Sequence, residues 1–369
     1  MIKIDEDILI SDLVSTAYSF STANRDFIKK EYNNFLVLNQ SLILNHGKII
    51  KGHETLLDRS KYPDDFFTYG DNSYNEFIDK VDELQYLLKD IAGHYKRFLR
   101  KIRFGQLVYY DRIKSFSEKD FIDIIISYYA TYGDKYYKIA KKYFDENRIN
   151  IDSNLADDAA GYYVPIIWLC SGYVYSLYPN YDTVSAASIV HELGHAVDAE
   201  VFLFPQQKKL PIFSDILLEV PSTTFEIGFY DYLRKEHIDI DGGLILDNNR
   251  VASLYDFFAD LREAINSENL DIDGDGIAIN EKGYEYDFRT DLIYGLGYYL
   301  AFHLNEIRNS GNKDYLKILN SIITTRKESS LYDVINMLGI RLEDFINGTY
   351  IKPRIKENLL TLKKRYNVD

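Results

Sequence analysis

The stretch SIVHELGHAVDAEVF, residues 188–202, sets two histidines four residues apart with a glutamate directly after the first. On a helix, residues i and i+4 lie one above the other on one face, so His191 and His195 can both present an imidazole nitrogen to one ion at roughly 2 Å. Glu192 is turned about 100° from His191 and stands beside such an ion, where a base takes a proton from a zinc-activated water. On the opposite side Val190, Leu193, Val197 and Val201 are spaced for a core, which predicts a helix with a dry back and a polar front. Gly194 inside it costs about 1 kcal/mol against alanine. A close approach of another backbone would offset that. Catalytic zinc takes three protein ligands and leaves a fourth position open, so a second element has to supply the third.

The surrounding chain reads as helical. Residues 74–103 place Phe77, Val81, Leu84, Leu87, Leu88 and Ile91 at steps of three and four, predicting one long amphipathic helix. Ser117, with Asp120 three residues later, is an N-terminal capping signal, and Phe121, Ile124, Ile125 and Tyr128 follow on one face. Gly133 breaks that pattern; Tyr136, Ile139, Ala140 and Tyr143 resume it as a further helix. Residues 158–174 change character, with β-branched and aromatic residues, Gly161 and Gly172 near the ends, and no helical period. They are expected to form one or two short strands, the only convincing sheet in the chain. The segment 266–285 is the one clear polar, glycine-rich loop and reads as an insertion, not a domain boundary. Only seven prolines in 369 residues agree with a mainly helical chain.

At 46% hydrophobic residues the chain can bury a large core, as one domain or two packed lobes. No run of 18 apolar residues exists, and the opening MIKIDEDILISDLVSTAYSF carries acids where a signal peptide has a basic region. A cytoplasmic, unexported protein off the membrane is therefore expected. The net charge of −14 argues against binding nucleic acid or anionic lipid. Cys170, the single cysteine, cannot form an internal disulfide and reads as a buried thiol.

For the third donor, one arrangement known on such helices needs Gly at 198 and His at 201; Asp198 and Val201 exclude it. Another takes a glutamate from a following helix with an aspartate four residues on. Glu219 in SDILLEVPSTTFEIGF fits the glutamate, but Thr223 stands where the aspartate belongs. HELGHA at 191–196, followed 24 residues past His195 by EVPSTTFE at 219–226, resembles the oligoendopeptidase F and thimet oligopeptidase family of zinc metallopeptidases. Upstream, LVYYDRIKSFSEKD, YGDKYYKIAKKYFDENRINID and AAGYYVPIIWLCSGYVYSLYPNYDTVSAASIVHELGHA resemble the same family in the same order. The resemblance covers about residues 75–305 and is most specific over 107–230.

The resemblance implies a mainly α-helical gluzincin fold with a small β-sheet beside the active-site cleft. It implies one zinc ion on His191, His195 and Glu219, with Glu192 as general base in the hydrolysis of short or unstructured peptides. Glu226, seven residues after Glu219, corresponds to the family's second glutamate, which holds a ligand histidine in one tautomer. Asp198, one turn past His195, either supports the site from behind or faces solvent. The strand around Ala160, Gly161 and Tyr162 would pair with the substrate backbone, where small side chains let a peptide approach. For the oxyanion, the family's Tyr-x-x-Gly pattern falls on Tyr294 and Gly297. Tyr284 stands where the family has a histidine, and Thr290 and Leu292 replace tyrosines, so Tyr284, Tyr286, Tyr294 and Tyr298 are candidate donors, with Tyr294 best placed. Family enzymes are longer, with a helical N-terminal lobe that roofs the channel. Here residues 1–105 are expected to form a shortened helical region ahead of a catalytic region, 106–369, packed as one unit. Either the cleft is open or a partner protein covers it.

Asp271, Asp273, Asp275 and Gly276 match positions 1, 3, 5 and 6 of an EF-hand-like loop, which makes calcium a second candidate ion. Position 12 departs, being Lys282 with Glu281 one place early. Two alternatives follow: a catalytically silent relative that binds peptides in the same cleft, and a calcium-responsive helical interaction protein. Intact HELGH and Glu219 favour turnover over both. His46, His53, His94, His237 and His303 fall outside any ligand spacing and are expected at the surface or in satisfied core positions.

Overall fold

The computed structural model describes residues 87–100, 112–151, 161–166, 171–176, 178, 180–203, 217, 219–265, 271–272, 277–279, 285–325 and 331–366. The chain up to residue 86, Ala160, Cys170, Asp273, Asp275 and Tyr284 lie outside these, as do the side chains of Tyr162, Asp271 and Tyr286. Among the described residues the chain is mainly helical. Helix α1 covers 87–100, α2 Glu118–Ala130 and α3 Asp134–Asp145. Strands β1 (Ile149–Ile151), β2 (Gly161–Ile166) and β3 (Ser171–Ser176) lead to α4, Thr183–Val197, which runs on into a π-helical turn, Asp198–Leu203. Then come α5 (Glu219–Lys235), α6 (Ile240–Ile265), β4 (Asp271–Ile272), β5 (Ile277–Ile279), β6 (Glu285–Asp287), α7 (Phe288–Asn309), α8 (Tyr315–Thr325), α9 (Leu331–Met337), α10 (Leu342–Asn347) and α11 (Ile351–Tyr366).

Local chemistry sets the ends of the helices before the site. The Ser117 hydroxyl oxygen accepts the Asp120 amide at 3.2 Å and starts α2. Gly133, at φ 111°, turns the chain where other residues are strained and separates α2 from α3. The Asp182 carboxylate accepts the Ser185 amide at 2.9 Å and starts α4.

Strands β1, β3 and β2 form a sheet in that order, with β2 antiparallel to β3 from Gly161↔Ser176 to Ile166↔Ser171 and β1 parallel to β3. Its strands β2 and β3 pack against α4. A second antiparallel sheet, β4-β5-β6, occupies the segment expected to be an unstructured polar insertion. The expectation of a single sheet is thereby corrected. The Ile-Ala-Ile run of β5 is too short to show a period and is submerged in Asp- and Gly-rich flanks.

Helix α5 is the centre of the bundle. Every residue from Glu219 to Asp231 is buried, and the helix packs against α4, α6 and α7. A helix covered on all sides belongs in the middle of its domain. Its buried threonine hydroxyls bond to its own backbone: Thr223 donates to the Glu219 carbonyl and Thr224 to the Val220 carbonyl, the latter at 2.5 Å. Tyrosines fill much of the surrounding core, with a large apolar ring and a hydroxyl that reaches a polar partner. Tyr129 of α2 donates to the Val190 carbonyl at 2.7 Å, bracing α4 one residue before His191. At the far end, buried Arg354 of α11 pairs with Asp231 of α5 and Asp247 of α6, each at 2.9 Å, and with Glu306 of α7 at 3.1 Å.

The dry back of α4 is as expected, with Val190, Leu193, Val197 and Val201 all buried. Its polar front is not a solvent face. His191 is 8% exposed and Glu192 7%, because the helix is enclosed on that side as well.

Candidate metal centre

Four helices contribute to one site. Helix α4 supplies His191, Glu192 and His195, α5 supplies Glu219 and Glu226, α6 supplies Arg250, and α7 supplies Tyr294 and Tyr298. Two glycines bring the backbones together at Glu219. A Cβ on Gly194 would stand 2.6 Å from Ser222 Cα, and one on Gly297 would stand 2.8 Å from Glu219 Cβ. No other residue fits either place without moving a helix, so α4 and α7 close on the first turn of α5 from two sides. The close approach that Gly194 called for is thus made by Ser222.

His191 Nε2 lies 3.2 Å and His195 Nε2 3.3 Å from Glu219 Oε2. One donor atom from each of the three residues falls within 4.8 Å of the others, the one such convergence of His, Cys, Asp or Glu among the described residues. Two donors each about 2.0–2.1 Å from a tetrahedral ion stand about 3.3–3.4 Å apart, so the two spacings from Glu219 to the histidines are compatible with zinc. The Ser222 hydroxyl donates to Glu219 Oε2 at 2.7 Å and fixes that carboxylate's rotamer. Burial disfavours the charged forms of all three groups, yet their mutual attraction prevails: His191 and His195 are shifted up and Glu219 well down. Such a set is held together by charge and gives up protons when a cation enters.

Behind the triad, Glu226 is wholly buried, and its Oε2 faces His191 Nδ1 at 2.9 Å. Its Oε1 accepts from Arg250 Nε at 2.6 Å and from the Tyr230 hydroxyl. Burial alone would raise this carboxyl; the Arg250 charge, with the bonds from His191 and Tyr230, holds it down at about 2. Glu192, by contrast, is shifted up, first by burial and against the pull of His191 and His195.

Tyr294 and Tyr298 stand one turn apart on α7, each ring stacked on Phe257 of α6 at 5.9 and 6.1 Å between centroids. The Tyr294 hydroxyl is shifted well up, first by the charge of Glu219 and then by burial. Burial also raises Tyr298, against Arg250. Both are proton donors throughout the physiological range.

The remaining expected residues divide as follows. Asp198 is 2% exposed at the start of the π-helical turn, so the solvent-facing alternative is removed. Gly161 opens β2, which pairs with β3 on one side and, among the described residues, has its other edge free. Tyr286 lies on β6 and Asp271 on β4 by backbone; Ala160, Tyr284, Asp273 and Asp275 lie outside the described residues. His303 departs from expectation. It is fully buried on α7, stacked on Phe345 at 4.9 Å, and neither ring nitrogen has a hydrogen-bond partner among the described residues. Sequence reading missed Arg250, Ser222, Tyr230 and Phe257. Ser222 sits inside the EVPSTTFE stretch three residues after Glu219, a spacing that signals contact on a helix.

No family model matches the chain, and no curated protein matches it. Solved structures similar to it include a Bacillus anthracis protein assigned as an oligoendopeptidase F, at 13% identity and TM-score 0.47, covering 95% of this chain and 69% of that one. A Chlamydophila abortus protein assigned as a peptidase is similar at 16% identity and TM-score 0.44, covering 93% and 66%. PZ peptidase A with an inhibitor is similar at 11% identity and TM-score 0.47, covering 95% and 71%.

Proposed function

We propose that this protein is a zinc-dependent endopeptidase acting on short or unstructured peptides at the centre formed by His191, His195 and Glu219. The observation that carries the reading is the convergence, within 4.8 Å, of two imidazole nitrogens from α4, the helix that also carries the buried Glu192, and one carboxylate oxygen from α5. Two imidazoles and one carboxylate are a ligand set of catalytic zinc and leave one position open. When bound, zinc supplies a Lewis acid that lowers the pKa of a water to about 7 and polarises a carbonyl.

The chain's own residues do the rest. Glu192 takes the proton of the attacking water and returns it to the leaving amine. Glu226 accepts from His191 Nδ1, which leaves the Nε2 lone pair directed at the centre. Asp198, buried one turn past His195, is proposed to support the site from behind. Tyr294 and Tyr298, held protonated, donate to the oxyanion that forms at the scissile carbonyl, with Tyr284 and Tyr286 as further donors. The edge of β2 that is free among the described residues, starting at Gly161 and Tyr162, offers main-chain hydrogen bonds that pair with a peptide whatever its side chains, and Ala160, next to it in sequence, is proposed to extend that pairing. This edge favours a peptide over a small molecule as substrate.

The test is cleavage of a quenched fluorescent peptide library by the zinc-loaded chain and by Glu192→Gln. Loss of a general base lowers turnover by about 10²–10⁴-fold, and the variant should retain its zinc. Equal cleavage by both proteins would remove Glu192 from the reaction; cleavage by neither would reduce the site to peptide binding.

A further inference from the structure

Glu226 divides its two oxygens between different neighbours. Oε2 is given to His191 Nδ1 at 2.9 Å, while Oε1 receives Arg250 Nε and Nη2, both at 2.6 Å, together with the Tyr230 hydroxyl. Arg250 comes from α6, which contributes none of the three metal donors. Its guanidinium carbon also stands 5.1 Å from the centre of the Tyr298 ring, close enough for a cation–π contact. One side chain therefore touches both the carboxylate behind His191 and one of the two tyrosines stacked on Phe257. The terminal torsion of a glutamate is broad, so nothing in Glu226 itself decides the plane in which its carboxylate meets the histidine. A planar, permanently charged fork on one oxygen does decide it, and a lysine ammonium has neither the fork nor the stacking plane.

We propose that Arg250 is a positioning residue that locks Glu226 and Tyr298 in one mutual arrangement, so that His191 and the tyrosine wall face the metal centre together. The proposal rests on the metal centre put forward above. It is tested on the full chain by chelator competition for zinc and by the visible absorption of the cobalt-substituted protein. The proteins compared are wild type, Arg250→Met, Arg250→Lys, Glu226→Gln and the double variant of Glu226→Gln with Arg250→Met.

Arg250→Met should weaken zinc binding about 10–100-fold and shift the cobalt bands. Arg250→Lys should recover only part of the loss, and also serves if Arg250→Met does not fold. In the Glu226→Gln background, Arg250→Met should add little, because the two residues act as one unit. An arginine that served only the fold would lower Tm and leave the cobalt spectrum of the folded protein unmoved. Unchanged zinc affinity and cobalt bands in both Arg250 variants, or fully additive losses in the double variant, overturn the proposal and leave the metal centre standing. A wild-type chain that binds neither metal overturns both.

Discussion

Replacing Gly194 by alanine adds one methyl group where α4 meets α5. That Cβ would stand 2.6 Å from Ser222 Cα, 3.3 Å from Phe225 Cδ2 and 3.4 Å from Ser222 Cβ. Ser222 Cα is backbone and has no rotamer to change, so relief to an ordinary contact requires the two helices to part by about 0.8 Å. His191 and His195 ride on α4 while Glu219 and Glu226 ride on α5, so this separation falls directly on the 3.2 and 3.3 Å spacings of the donors. Metal ligand distances hold to within about ±0.2 Å, so zinc affinity should drop by about 10–100-fold, the range seen when the support of a ligand is lost. Overpacking costs about 1–3 kcal/mol and alanine returns about 1 kcal/mol of helix propensity, which leaves stability unchanged to about 2 kcal/mol lower. Zinc competition and thermal unfolding on the same sample separate the two effects. Wild-type zinc affinity in Gly194→Ala would refute the claim that this glycine sets the spacing of the metal donors.

Two further outcomes follow from buried charge. Burial alone holds His303 down at about 3, while an imidazole in the unfolded chain titrates near 6.5. As pH falls from about 6.5 toward 3 the unfolded state takes up a proton that the folded state refuses. The folded state thus loses about 1.4 kcal/mol per pH unit, or about 2 kcal/mol by pH 5. His303→Phe, which keeps a ring against Phe345, should remove this slope in urea unfolding between pH 7 and 5; the same slope in variant and wild type would contradict it. Arg354→Met leaves Asp231, Asp247 and Glu306 without their shared cation at a site where the arginine side chain is buried. Breaking one side of such a network costs about 3–5 kcal/mol, lessened here by Arg234, which also pairs with Asp231 and lies 3.5 Å from Asp247. An unaltered Tm would show that the clasp contributes nothing.

What was readable from sequence was local. The Ser117 cap, the break at Gly133 and the apolar back of α4 follow from neighbours within a turn or two. Gly194 was legible as a demand, because a glycine inside a helix needs a reason, although which backbone met it was not. Arg250 was hidden for the opposite reason. It stands 24 residues past Glu226 on a different helix, and nothing in DNNRVASLYDFF separates it from a surface cation. The parallel pairing of β1 with β3 is likewise non-local, and β4 to β6 are too short to carry a period. Among 33 tyrosines, only packing tells Tyr129, whose hydroxyl braces the backbone before His191, from Tyr294, whose hydroxyl feels the charge of Glu219.

Zinc-edge X-ray absorption on the full chain, purified without chelators and assayed for metal content, tests the central claim most directly. The account predicts one zinc per chain with nitrogen ligands at about 2.0–2.1 Å, oxygen at about 2.0–2.2 Å and no sulfur, and loss of that zinc in the Glu219→Ala variant. A chain that takes up no zinc on titration, or one that keeps its zinc unchanged after both His191 and His195 are replaced by alanine, would contradict it.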